Sequence, residues 1–121
     1  MVTVMGIIFY LSHQPGNFVQ LPQFTGVDKL LHAIAYGILT GAFLYGMHPF
    51  IHESHRALTV IGAVLFCLLF GISDEYHQAF IPGRFVSGWD VAADCFGGLL
   101  VAGFWYRRFA GKAQRIVLDK K

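Results

Sequence analysis

The sequence predicts an all-α fold: an integral membrane four-helix bundle with a short first helix and both termini cytoplasmic. Three observations point there. Charged residues make up 13% of the 121-residue chain and hydrophobic residues 55%, with mean hydropathy +0.55, whereas a soluble domain carries about 25% charged residues. Apolar runs of membrane-spanning length recur between breakers that contain proline and glycine. The nine Lys and Arg residues fall unevenly on the two sides that those runs define. The length corresponds to one domain, and a domain this small has too much surface for an oversized core to explain the missing charge.

The first helix, about 1–14, opens on MVTVMGIIFYL. The run is apolar, yet at about 1.5 Å per residue it covers roughly half of a hydrocarbon core. It lacks the basic start and the cleavage site of a signal peptide, so it is expected to be a short helix extended by Ser12 to Gln14, or one whose start lies upstream of Met1. The second helix, 28–47, follows the breakers Gln14-Pro15-Gly16 and Leu21-Pro22. The third, 57–78, follows His48-Pro49, and the fourth, 89–106, follows Ile81-Pro82-Gly83. With no repeat and no linker, 1–121 is expected to be one transmembrane domain. Cys67 and Cys95 lie inside apolar runs, without CxxC or zinc spacing, and are expected to be unpaired.

Orientation follows from the basic residues. Arg56, Arg107, Arg108, Lys112, Arg115, Lys120 and Lys121 share one side, and Lys29 and Arg84 the other. The richer side is cytoplasmic by the positive-inside rule. The tail 107–121 is expected to act as a topology determinant that rests on anionic headgroups. The net charge of +2 gives no reason to expect a nucleic-acid partner; the lipid bilayer is the first partner.

With that topology, Asp28, Asp74, Glu75, Asp90 and Asp94, five of the seven acids, collect near the outer surface. Lys29, His32, His77, Gln78 and Arg84 join them. Charge inside a span costs at least a few kcal/mol per residue, so partners or a function must retain it. Asp28, His32 and Tyr36 recur at helical spacing and form one stripe with Lys29. Gly71, Asp74, Glu75 and Gln78 share a side of the third helix, and Asp90 and Asp94 lie one turn apart on the fourth. Gly37 with Gly41, and Gly97 with Gly98, would let helices approach closely. The plain alternative is structural: Lys29 and Arg84 neutralise carboxylates while His, Gln and Tyr form interhelical hydrogen bonds averaging about 0.6 kcal/mol.

At these residues the chain resembles the VanZ-like family of bacterial membrane proteins, whose name-giving member is associated with resistance to the glycopeptide teicoplanin. FYLSHQP at 9–15, DKLLHAIAYGIL at 28–39 and SDEYHQAFIPGRFVSGWDVAADCFGG at 73–98 carry the resemblance. Matched position by position, it implies a site built from Ser12, Gln14, Asp28, Lys29, His32, Tyr36, Asp74, Glu75, Gln78, Arg84, Asp90 and Asp94. It also implies a multi-pass protein of the bacterial cytoplasmic membrane. Two departures stand out: Asp94 occupies a position where the family often has Asn, and the first helix is shorter than usual.

Three functions fit. In the first, the outer cluster binds the head group of a lipid or a lipid-linked envelope precursor, Lys29 and Arg84 meeting an anionic group; the resemblance extends this to glycopeptide resistance. In the second, the cluster is an intramembrane enzyme site in which Asp74, Glu75, His77, Asp90 and Asp94 hold a metal or His32 acts as a base, although no metal-ligand spacing is recognisable and no cofactor follows. In the third, the chain is an accessory subunit whose small-residue faces matter most.

Overall fold

The computed structural model describes residues 1–16, 26–47 and 55–118, with side chains to Arg108. Its four helices are α1 (Val2–Ser12), α2 (Val27–Met47), α3 (Arg56–Gln78) and α4 (Gly88–Leu118), and no strand occurs among the described residues. The breakers at Leu21-Pro22 and His48-Pro49, the residues Lys120 and Lys121, and the side chains of Lys112 and Arg115 lie outside what is described.

Two helix ends differ from the sequence expectation. α1 stops at Ser12, where His13 N–H bonds to Phe9 O (2.9 Å) and Gln14 N–H to Leu11 O (3.2 Å); Pro15 prevents continuation. α4 runs past Tyr106 to Leu118. The end of the apolar run is not the end of the helix, because the Arg, Ala, Lys and Gln residues beyond it are good helix formers.

α2 makes its most extensive contact with α4, α3 packs on both, and α1 rests lightly on α2 and α3. Gly97 explains the closeness of α2 and α4: a Cβ there would run into Ala33 O, so backbone touches backbone. Gly37 faces Gly97 and Val101 across the same seam, and Gly41 faces Val101. Gly98 makes room for Cys67 and Thr40. The glycines expected to form a close helix contact therefore form one. Cys67 and Cys95 are both free.

The distribution of polarity is inverted relative to a water-soluble bundle. Leu58, Ile61, Leu65, Leu69, Ile72 and Tyr76 are exposed on α3 in an i, i+3/i+4 stripe, and Leu31, Ile34, Ile38 and Tyr45 on α2. The buried set includes Ser12, Thr40, Asp74, Glu75, Gln78, Asp90 and Asp94, residue types that are mostly exposed in soluble domains. Among the described residues, α2 and α3 are the two helices long and apolar enough to cross a membrane, and only 28% and 22% of their apolar windows are buried inside the chain. A soluble core helix of such composition would be mostly buried. α4 does not pass the same criterion; Asp90, Asp94 and the Gly97-Gly98 pair dilute its apolarity.

Candidate functional site

The C-terminal ends of α1 and α3 and the N-terminal ends of α2 and α4 meet at one end of the bundle. On α3, the spacing of Gly71, Asp74, Glu75 and Gln78 puts all four on the buried face, as helical periodicity requires. On α2, burial deepens along the stripe: Asp28 is exposed, His32 intermediate and Tyr36 buried. On α4, Asp90 lies in the first turn, where a carboxylate suits the helix dipole, and Asp94 one turn deeper.

Three groups of contacts assemble there. Ser12 donates its hydroxyl to Asp74 Oδ2 (2.7 Å), and Gln78 Nε2 donates to the same oxygen (3.1 Å), joining α1 to α3. Lys29 Nζ lies between Asp28 Oδ2 (2.7 Å) and Asp90 Oδ1 (3.1 Å), joining α2 to α4. His32 Nδ1 meets Asp94 Oδ1 at 2.9 Å, with Asp94 1% exposed. Asp94 fits between the helices because Gly71 has no side chain: a Cβ there would sit 2.9 Å from Asp94 Oδ2. Glu75 Oε2 accepts the backbone N–H of Ser87 (2.9 Å), tying α3 to the start of α4.

Arg84 behaves differently from the sequence expectation. Its Nε donates to Gln14 O (3.1 Å) and its Nη2 to Leu11 O (2.8 Å), so it closes the C-terminal end of α1, whose last carbonyls have no partner within the helix. Gly16 N–H bonds to Pro82 O (3.3 Å) alongside, and Gly83 turns the chain at φ +74. Gln14 contributes its carbonyl, while its side chain bonds back to Tyr10 O (3.0 Å). The purely structural alternative is thus corrected in one respect: of the two bases, Lys29 faces carboxylates and Arg84 faces carbonyls, because the loop after α3 folds over the end of α1.

A cavity of about 330 Å³ opens between α1 and α2. Ser12, Asp28, His32, Tyr36, Asp74, Gln78 and Arg84 line it together with the apolar Ile8, Leu11, Leu31 and Ala35. Several buried atoms around this end have no hydrogen-bond partner among the described residues: Tyr36 Oη, Asp74 Oδ1, Glu75 Oε1 and Asp94 Oδ2. Three of the four are carboxylate oxygens, and a buried acceptor without a donor is destabilising by roughly 1–3 kcal/mol. The arrangement is suited to a ligand that supplies donors or positive charge. One ligand atom from each of His32, Glu75 and Asp90 lies within 4.8 Å of the others.

Sequence reasoning missed a second feature on the flank. His13 Nδ1 and His77 Nε2 are 3.1 Å apart, with Phe9 stacked on His77 at 4.6 Å, beside a smaller cavity of about 250 Å³. These residues are far apart in the chain, and no spacing signals the contact. Replacing Ser12 with Ala is expected to weaken the α1–α3 junction by about 1 kcal/mol, since one hydrogen bond to a buried carboxylate is lost and Gln78 keeps the other. Thermal unfolding of the detergent-solubilised protein checks this, and an unchanged midpoint would mean that Ser12 contributes nothing.

The sequence model of the VanZ/LLP1 family matches residues 1–110. No curated protein and no solved structure matches the chain.

Proposed function

The chain belongs to the VanZ/LLP1 family, and from that premise we propose that it is a multi-pass protein of the bacterial cytoplasmic membrane whose polar cluster binds an envelope lipid or lipid-linked precursor by its head group. The observation that carries this reading is a cavity lined by polar and apolar groups together, among them Asp74, a buried carboxylate whose Oδ1 has no donor among the described residues. Such a mixed lining suits an amphiphile. The exposed aliphatic stripes match a hydrocarbon surround. Arg56 opens α3 at the end away from the cluster, and Arg107 and Arg108 lie on α4 beyond its apolar run, so the positive-inside rule turns the cluster outward, with both termini in the cytoplasm.

The chemistry refines the type of head group. Lys29 is held between two carboxylates and Arg84 donates to two carbonyls, while the buried carboxylate oxygens without donors among the described residues are acceptors. Sugar hydroxyls and amines, which donate, are better matched than a bare phosphate. A protein holding such a component at the outer leaflet would alter what a glycopeptide meets there, which is the link to teicoplanin resistance.

The test is a paired measurement of membrane accumulation and teicoplanin susceptibility in a susceptible host, for wild type, Glu75→Gln and Asp94→Asn. Both substitutions keep shape while removing charge. Normal accumulation with loss of a protection that wild type confers is the expected result. If the variants disappear from the membrane, the cluster is scaffold, and if wild type confers no protection, the resistance link is wrong. A second reading, an intramembrane enzyme acting on the same class of lipid, is favoured by one observation, the His32–Asp94 contact next to Glu75 and Asp90. A positioned imidazole–carboxylate pair can carry a proton in acid–base chemistry.

A further inference from the structure

We infer that His32, Glu75 and Asp90 form a binding site for one divalent cation of borderline hardness, Mn²⁺ or Zn²⁺, with Asp94 as the positioning residue and Lys29 as a built-in competitor. The three residues come from α2, α3 and α4, and one ligand atom of each lies within 4.8 Å of the others. Points spaced so closely have a common centre no farther than about 2.8 Å from each, so inward movements of about 0.6–0.8 Å reach the ~2.0–2.2 Å of metal–oxygen and metal–nitrogen bonds.

Proximity of acids would not by itself make a site, but two further observations point to a cation. Glu75 is 3% exposed, and its Oε1 has no donor among the described residues while its Oε2 is fixed by Ser87 N–H. The carboxylate is therefore held in place with one oxygen bare. His32 Nδ1 is 2.9 Å from Asp94 Oδ1; with Nδ1–H donating there, the lone pair is on Nε2. A carboxylate that orients an imidazole in this way is the usual support for a metal-bound histidine. Asp94 itself stays behind the imidazole as an orienting group.

The donor set selects the metal. One imidazole and two carboxylates, with no thiolate, suit Mn²⁺ or Zn²⁺ rather than a soft ion, and the nitrogen ligand disfavours Ca²⁺ and Mg²⁺. Three protein ligands leave coordination positions for water or for an oxygen of another molecule. Lys29 Nζ sits 3.1 Å from Asp90 Oδ1, so its ammonium occupies part of the electrostatic role that the metal would fill. Cation binding displaces Lys29 from Asp90 toward Asp28, to which it is already bonded at 2.7 Å. The site stands whether or not the head-group reading does, since the metal alone is the ligand.

The full chain, purified in detergent and stripped with a chelator, is titrated with Mn²⁺ alone, and free Mn²⁺ is followed by electron paramagnetic resonance. One ion per chain is expected in wild type. Glu75→Gln and Asp90→Asn are expected to bind at least tenfold more weakly, and Asp94→Asn tenfold or more through loss of imidazole orientation. Lys29→Met is expected to bind about tenfold more tightly, a gain that misfolding cannot produce. Zn²⁺ added to the Mn²⁺-loaded protein should release the bound Mn²⁺. Absence of a stoichiometric site in wild type, equal binding by Glu75→Gln, or weaker binding by Lys29→Met would each overturn the assignment.

Discussion

Gly97→Ala is expected to force α2 and α4 apart and to destabilise the bundle by about 3 kcal/mol, at the upper end of the range for overpacked interiors. The added Cβ would run into Ala33 O, with Ala33 C at 2.7 Å and Cα at 2.8 Å. The obstacle is backbone, and no rotamer change can relieve it. α2 carries Asp28, Lys29, His32 and Tyr36, and α4 carries Asp90 and Asp94, so separation would also pull His32 from Asp94. The comparison is Gly62→Ala on α3, where a Cβ meets nothing within 4 Å; there the better helix propensity of Ala should stabilise by up to about 1 kcal/mol. Thermal unfolding and monomer yield in detergent distinguish the two. A tolerated Gly97→Ala would show that the α2–α4 approach is looser than described.

Arg84→Ala is expected to release α1 from the bundle, with a loss of about 2–4 kcal/mol from two charge-assisted hydrogen bonds to carbonyls. Gln14 O loses its Arg84 donor and Leu11 O is left with the N–H of Gln14 alone, and a cation is also lost from the negative end of the α1 dipole. Because α1 otherwise has few contacts with its neighbours, this clamp is a large part of its attachment. A cysteine placed at Ile8, which is 6% exposed, reports undocking by reaction with a maleimide. Labelling should be slow in the parent, fast with Arg84→Ala and intermediate with Arg84→Lys, since an ammonium lacks the planar fork that reaches both carbonyls. If Ile8→Cys stays protected in Arg84→Ala, the clamp is dispensable and the guanidinium is free for a ligand, as its residue type alone would suggest.

Much of the site was legible because helical periodicity assigns residues to faces. The Asp28–His32–Tyr36 stripe, the buried face of Gly71, Asp74, Glu75 and Gln78, and the small-residue seam of Gly37 and Gly97 follow from spacing and appear in the structure. Partner choice was not legible. His32 and Asp94 are separated by 62 residues, and whether His32 faces Asp94 or Asp90 depends on the rotation and depth of α2 against α4. The close approach at Gly97 decides that. The contacts of Arg84 were not legible for a related reason: a residue type suited to binding phosphate was read without knowing that the end of α1 would lie beneath it.

By itself, then, the sequence determined the helical class, the inverted polarity of the surface and the collection of ionisable groups at one end, because composition and period are local properties written in the order of residues. Only the tertiary structure decided that Lys29 bridges Asp28 and Asp90, that Arg84 caps α1, and that His32, Glu75 and Asp90 converge within 4.8 Å. These depend on how far each helix slides and turns against its neighbours, which is set by backbone contact at glycine and loop closure over α1, and neither has a period in the sequence.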